Sequence, residues 1–249
     1  MFINRPQHLS IRLPVEERVF VAPNPDSLYY LESSIFSGIP EGTLIDWALS
    51  DLIRSDSALI DIGANIGVWT ISFARSPKVK RVYCWEPQRE FYEALIAGVA
   101  LNHRLYDVSP HNVALGSSLQ AAQGHMTLRV PDEAGLGGSL RELPNGRPSR
   151  HDEMVEVRTL DSYLGTYGEE WRNQIGLVKI DVEGNELDVL RGGTTALEHM
   201  GWPLIIFEAW ADEWYASRRQ VVFDYLSSIG YRVVPINMFP NECLAEKVR

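Results

Sequence analysis

Leu59-Ile60-Asp61-Ile62-Gly63-Ala64-Asn65-Ile66-Gly67 is the stretch on which the fold turns. Ala58 to Ile62 is an apolar, strand-like run broken only by Asp61. Two glycines follow, and apolar residues resume at helical spacing from Ile66 to Ala74. A strand that passes through a glycine turn into a helix is the opening unit of a doubly wound sheet. It puts the turn at the carboxyl ends of the strands, where such sheets bind ligands. Gly63 lets the backbone approach a ligand closely, and Gly67 lets the helix pack tightly on the strand.

The same alternation continues outward. Arg81 to Trp85 is predicted as a second strand ending in Glu86-Pro87, and Gln88 to Asn102 as a helix with Phe91, Leu95 and Val99 on one stripe. A third strand is predicted within Val108 to Leu115, with Pro110 breaking or bulging it. Gly116 to Arg150 is irregular, holding Gly135-Leu136-Gly137-Gly138-Ser139 and Pro144-Asn145-Gly146, with His125 to Val130 and Met154 to Thr159 as candidate strands. A connection of this length is expected to be a functional cover. Strands at Leu177 to Ile180 and Leu204 to Phe207 and helices at Asn185 to Arg191 and Ser217 to Ile229 follow. Tyr231 to Ile236 and Glu242 to Val248 are expected to close as a hairpin. This order implies an α/β fold with a mainly parallel sheet covered on both faces. Residues 1–57, with a strand at Arg18 to Ala22 and a helix at Glu41 to Arg54, read as a lead-in packed on the core. Residues 58–249 read as the α/β domain, interrupted at about 116–150.

The chain has 249 residues, which suits one α/β domain. Its 45% hydrophobic and 22% charged content is that of a soluble globular protein, and no apolar run approaches the roughly 20 residues that cross a bilayer. Met1 to Arg12 has no apolar signal-peptide core, and two cysteines fit a reducing cytoplasm better than a disulfide framework. A net charge of -10 argues against broad nucleic-acid binding, which relies on Lys and Arg neutralising phosphates. The oligomeric state is left open, a homodimer included.

A second acid, Glu86, ends the next strand, where a carboxylate can accept both hydroxyls of a ribose. The cofactor is therefore expected to carry a nucleoside. A dinucleotide fingerprint would need glycines at 63, 65 and 68, but the chain has Gly63, Asn65 and Val68. Asp61 would repel a pyrophosphate and suits a ligand with an ammonium and a sulfonium, which points to S-adenosylmethionine. A nicotinamide-dependent oxidoreductase and a catalytically inactive binding module are the other readings of this fold.

Val178-Lys179-Ile180-Asp181-Val182-Glu183-Gly184-Asn185-Glu186 is the second dense site. Its strand delivers Asp181 to the same edge, and the strand after it ends in Glu208. Carboxylates converging on one rim need cations, hydrogen bonds or raised pKa values. Asp181 is the first candidate for a base or an acceptor-orienting group, and Glu183 the second. A metal held by Asp181, Glu183 and Glu208 is the weaker alternative, and no metal is expected. His111, His125 and His151 are further candidate bases, more in keeping with packing or surface positions. Trp210, Trp214 and Tyr215 read as the packed face of the last helix or as a rim for a flat ligand.

With these segments in order, the sequence resembles the FkbM-type methyltransferase family. The resemblance rests on Asp61 to Gly67, Trp85-Glu86-Pro87, Val113-Ala114-Leu115-Gly116, Thr159-Leu160-Asp161 and Lys179 to Glu186. Leu190-Arg191-Gly192-Gly193, Ile206-Phe207-Glu208 and Gly230-Tyr231 complete it, and it runs from about residue 40 to about residue 236. The lead-in departs from the family pattern. The resemblance implies the Rossmann-like class I methyltransferase fold: a mostly parallel seven-stranded sheet with a C-terminal antiparallel hairpin and helices on both faces. It implies S-adenosylmethionine as donor and usually O-methylation, of a hydroxyl on a small molecule, sugar or glycan, or natural product. A nucleic-acid acceptor is the alternative that the charge disfavours. It also implies roles. Asp61, Gly63, Ala64, Asn65 and Gly67 would hold the methionine part, and Glu86 with Pro87 the ribose. Asn112, Val113 and Ala114 would lie by the adenine, and Asp181 near the reacting methyl.

Overall fold

The computed structural model describes residues 9–12, 18–33, 41–102, 107–131, 137–141 and 149–248. Two short strands, β1 (Leu9–Arg12) and β2 (Val19–Ala22), pair antiparallel ahead of α1 (Pro25–Ser33) and α2 (Gly42–Trp47), which runs on into a π-helical turn at Ala48–Leu52. The alternating core follows as β3 (Ser57–Ile62), α3 (Val68–Ala74), β4 (Val79–Trp85), α4 (Arg89–Leu101) and β5 (Asp107–His111). Next come β6 (Ala114–Leu115), α5 (Ser118–Ala121), β7 (His125–Pro131), β8 (Ser149–Arg158) and α6 (Leu164–Trp171). The chain closes with β9 (Ile175–Ile180), α7 (Glu186–Gly192), α8 (Thr194–His199), β10 (Leu204–Glu208), α9 (Ala216–Ser228), β11 (Tyr231–Ile236) and β12 (Phe239–Lys247).

The central sheet has seven strands in the order β11-β12-β10-β9-β3-β4-β5. The five from β10 to β5 are parallel, and β12 pairs antiparallel with both β10 and β11. This is the mostly parallel seven-stranded sheet with a C-terminal antiparallel hairpin that the family resemblance implies. All six residues of β3 and all six of β9 are buried. A strand covered on both faces must be almost continuously apolar, so Asp61 and Lys179 are the exceptions that need a reason.

Two apolar layers cover the sheet. On one face Ile60, Ile62, Val178 and Ile180 pack with Trp171, Leu190, Leu197 and Leu226, from α6 to α9. On the other, Leu59, Leu177 and Ile206 pack with Ile71 and Phe73 of α3 and Phe91 and Leu95 of α4. Phe20, Leu31, Leu44 and Ile45 belong to that second layer, so β2, α1 and α2 are part of the core. Asn102 ties β2 down: its Nδ2 donates to the Val19 carbonyl at 2.7 Å, and its Oδ1 accepts the Val19 N–H at 3.1 Å.

The structure corrects several boundaries. Pro110 neither breaks nor bulges its strand. It lies inside β5, which is an edge strand, so the missing N–H leaves no ladder partner wanting. The helix expected over Glu41 to Arg54 is α-helical only to Trp47 and ends in the π-helical turn at Leu52. The candidate strands His125 to Val130 and Met154 to Thr159 are present as β7 and β8, which pair antiparallel, but β8 begins earlier, at Ser149, and Ser139 bridges to Arg129. Gly135, Leu136 and Pro144 to Gly146 lie outside the described residues. Helices α1, α5, α6 and α8 have no counterpart in the pattern read from the sequence.

Two glycines of the opening turn are held at positive φ, +81° at Gly63 and +90° at Gly67. A Cβ on Gly63 would lie 1.7 Å from the Asp181 carbonyl oxygen, whereas one on Gly67 would meet the Leu95 Cδ1 at 2.5 Å. Gly67 therefore clears the way for α4, as well as opening α3. Left-handed strain alone costs about 1–3 kcal/mol, and a leucine methyl can swing away where a backbone carbonyl cannot. We expect Gly67→Ala to cost about 1–3 kcal/mol in urea denaturation and Gly63→Ala distinctly more. Equal costs would mean that the β9 edge yields as easily as a side chain.

Candidate active site

The carboxyl ends of β3, β4, β9 and β10 meet at a cavity of about 250 Å³. Asp61, Gly63, Ala64, Asn65, Glu86, Pro87, Asp181, Glu183 and Glu208 all line it. Gly67, Asn112, Val113 and Ala114 are not in its wall. Asn112 instead braces the wall from outside, its Nδ2 donating to the carbonyls of Glu86 and Pro87, each at 2.9 Å. Leu115, Leu128 and Leu140 supply an apolar side.

The register explains the convergence. Asp61 pairs with Lys179, which pairs with Ile206. Two residues further along each strand, on the same face, stand Gly63, Asp181 and Glu208, with Glu242 of β12 opposite Glu208. The β3–β9 ladder runs to the rim, where the Asp181 N–H donates to the Ile62 carbonyl at 2.9 Å.

Each acid has its own partner. Thr70 Oγ1 donates to Asp61 Oδ2 at 2.6 Å, and the backbone N–H groups of Asn65 and Gln88 donate to the two oxygens of Glu86, both at 2.8 Å. Lys179 Nζ donates to Asp181 Oδ2 at 2.8 Å and stands 5.4 Å from the centre of the Trp69 ring. Trp69 Nε1 in turn donates to Glu41 at 2.6 Å, and the Tyr30 hydroxyl donates to the same carboxylate at 3.3 Å. Trp210 Nε1 donates to Glu208 Oε1 at 2.6 Å. Glu183 has a left-handed backbone (φ 53°), and its carbonyl accepts Ser139 Oγ at 2.8 Å, so the 137–140 stretch lies over it.

Glu186 and Asp188 serve the turn and the cover. Glu186 accepts the N–H groups of Val182 and Gly184 and the Tyr215 hydroxyl, while Asp188 pairs with Arg141. Tyr215 is thus packed, and the Trp214 side chain lies outside the described residues. His111 stacks on Trp85 and packs edge-on to Tyr163, away from the cavity; burial lowers its pKa. His125 and His151 are exposed on the β7–β8 pair. Tyr30, Glu41, Trp69 and Lys179 are wall residues that sequence reasoning did not single out. The signal available for Lys179 was a lysine inside an otherwise apolar strand.

Six acids line the cavity together with Lys179, the single cation among the described lining residues. Burial pushes Asp61 up to about 6, against the Thr70 hydroxyl and Lys179, and pushes Glu86 up to about 7 despite its two N–H donors. Burial, then the charges of Asp181, Glu183 and Glu186, hold Glu208 well above the usual carboxylate range. Burial alone would depress Lys179, but Asp181, Glu242 and Glu41 outweigh it and hold its pKa well above the ordinary lysine value.

Comparison with known proteins gives the family of the chain. The profile of the family described as Methyltransferase FkbM domain matches residues 61–233. Methyltransferase 1 of Beauveria bassiana (strain ARSEF 2860) is 29% identical over 164 residues, covering 60% of this chain and 62% of that protein. Methyltransferase sdnD of Sordaria araneosa is 27% identical over 181 residues, covering 64% of this chain and 68% of that protein. The chain thus spans less than two thirds of the first relative's length. A solved structure of a methyltransferase from Geobacter sulfurreducens aligns over 91% of this chain and 89% of that one, with a TM-score of 0.46 and 15% identity.

The raised carboxylates set a direction for pH dependence. Where a folded acid has a raised pKa, it keeps a proton that the unfolded chain has already lost, so stability falls as pH rises through that window. The window runs from 3.8 to about 6 for Asp61 and from 4.5 to about 7 for Glu86. The thermal midpoint of the ligand-free protein should therefore decline from about pH 5 to about pH 7, and Glu86→Gln should make the decline shallower. The slope is the readout. A wild-type midpoint that climbs over this interval contradicts the burial argument.

Proposed function

The chain belongs to the FkbM-domain methyltransferase family, and from that premise we propose that it is an S-adenosylmethionine-dependent O-methyltransferase. Its acceptor is a hydroxyl on a small molecule, a sugar or glycan, or a natural product. One observation carries this reading: the Gly63 turn, Glu86 and Asp181 share a single cavity at the carboxyl edge of the sheet.

The cavity suits the donor on two counts. Six carboxylates against one lysine favour a ligand bearing an ammonium and a sulfonium, and disfavour acceptors rich in phosphate. Gly63, whose missing Cβ leaves room for the Asp181 carbonyl, also brings its backbone to the cavity wall beside the acids. Asp61, Gly63, Ala64 and Asn65 would hold the amino-acid end. Glu86 would take the ribose, since each carboxylate oxygen already bonded to an N–H keeps a lone pair for a hydroxyl. Pro87 would border the nucleoside. Asn112 supports it indirectly, through the Glu86 and Pro87 carbonyls, with Val113 and Ala114 buried behind and Gly67 shaping the turn.

When bound, S-adenosylmethionine supplies an electrophilic methyl group on a sulfonium. The chain's own residues must orient the acceptor and remove its proton. Asp181 would do both. Its side chain is 27% exposed, and Lys179 beneath it is 2% exposed and engages Oδ2, leaving the other oxygen to accept a proton. Such a positioned base is worth about 10²–10⁴-fold. Glu183, across the turn, is the second candidate.

Two outcomes are expected. At about 100 times its dissociation constant, S-adenosylmethionine or S-adenosylhomocysteine should add roughly 2.7 kcal/mol to the folded state. NAD should add nothing, and Glu86→Ala should abolish the gain. No midpoint shift with either adenosyl ligand at millimolar concentration would overturn the assignment and favour an inactive binding module. Asp181→Asn should keep donor binding but lower turnover at least about a hundredfold, measured by transfer of labelled methyl. Unchanged turnover removes Asp181 from the role of base.

A further inference from the structure

Asp181, Glu183 and Glu208 offer one carboxylate oxygen each, all within 4.8 Å of one another. Hard divalent cations bind carboxylate oxygens, calcium at about 2.3–2.6 Å, so oxygens on opposite sides of one calcium lie about 4.6–5.2 Å apart. The three therefore fit around a single ion. They come from the end of β9, the turn after it, and the end of β10, neighbouring strands of one sheet. Lys179 engages one oxygen of Asp181 and Trp210 one oxygen of Glu208. Acids alone can cluster on a rim without an ion.

A separate observation goes beyond clustering. Glu242 is buried, 9% exposed, and its Oε2 has no hydrogen-bond partner. It stands directly opposite Glu208 in the β10–β12 register, so both side chains leave the same face of the sheet. Its charge acts on Lys179 and Asp181. A buried carboxylate oxygen without a donor, opposite Glu208 and within the field of Asp181, calls for more positive charge than Lys179 gives it. Lys179, the one lysine in the described wall, is already held by Asp181.

We propose that Asp181, Glu183 and Glu208 form a binding site for a hard divalent cation, with Glu242 as a fourth carboxylate beside it. The inference deepens the methyl-transfer reading, because a cation there would lie next to the proposed base and would make a nearby acceptor hydroxyl more acidic. It can be tested without donor or acceptor. The rival way to relieve the acid row is protonation: burial pushes Glu242 up to about 8 and holds Glu208 well above its ordinary value.

The test is calorimetric titration of the EDTA-stripped full chain with Ca²⁺, Mg²⁺ and Mn²⁺ in turn, alongside thermal midpoints. One ion per chain should bind, with a midpoint rise for at least one of the three. Glu208→Gln and Glu183→Gln should each weaken binding at least tenfold, and Glu242→Gln less so. Glu86→Gln, at the ribose end, should bind the ion as wild type does. Metal-free Glu208→Gln should melt no lower than wild type, because the amide is neutral in a place where burial and the neighbouring acids already disfavour the charge, so lost binding cannot be put down to misfolding. No heat and no midpoint change with any of the three at about 10 mM, well above the weak-site range, overturns the proposal in favour of shared protons. Equal binding by Glu208→Gln overturns it too, by putting the ion elsewhere. Ion binding without stabilisation by S-adenosylmethionine would count against the donor assignment alone, and the reverse result against the ion alone.

Discussion

The parallel pairing of β3 with β9 is the constraint on which the site depends. The two strands are far apart in sequence, yet their ladder holds in register to Ile62 and Ile180 and adds one more bond from the Asp181 N–H. At that point β3 turns through Gly63, and the Asp181 carbonyl fills the space a side chain would need. The Asp181 carboxylate is thereby set beside the turn. Glu86 on β4's side and Glu208 on β10's side follow at the strand spacing of the sheet. No loop has to fold accurately for these acids to meet, because the ladder meters their separation.

That economy has an electrostatic consequence. A parallel sheet buried on both faces is a poor solvent for charge, and here it delivers several carboxylates to one rim. The structure answers with local donors: Thr70 for Asp61, two N–H groups for Glu86, Trp210 for Glu208, and Trp69 with Tyr30 for Glu41. Lys179 answers for Asp181 and lies under the row rather than in it. What is left uncompensated appears as raised proton affinity and as the unpartnered oxygen of Glu242. A site that costs stability when empty is poised to regain it from a positively charged ligand. The N-terminal elements belong to this picture, since Tyr30 and Glu41 close the cavity from α1 and the residue just before α2.

The alternation of β3, α3, β4 and α4 could be read because each element carries its own signal. Buried parallel strands are continuous apolar runs, α4 repeats apolar residues at helical spacing, and glycine marks the turn between β3 and α3. Where elements owe their form to neighbours, the local pattern misled. Pro110 looked like a breaker because only the sheet order reveals that β5 is an edge. Helices α6 and α8 are short, and their fully buried residues, Trp171 in α6 and Ala196 and Leu197 in α8, are too few to make a local stripe. The stretch around Gly137 and Ser139 looked irregular because its bonds, to Arg129 and Glu183, span distance in sequence.

The sequence by itself therefore determined the layered α/β order, the glycine turn, and the acids Asp61, Glu86, Asp181 and Glu208 at strand ends. These follow from residue type and period within short windows. Only the tertiary structure decided which acids share a wall, that Lys179 is the buried counter-charge beneath Asp181, that Asn112 braces Glu86 from behind, and that Glu242 on the last strand joins the row. Those facts depend on strand order and register. Hydrogen bonds between strands set these, and residues far apart in the chain take part in them, so no local pattern carries them.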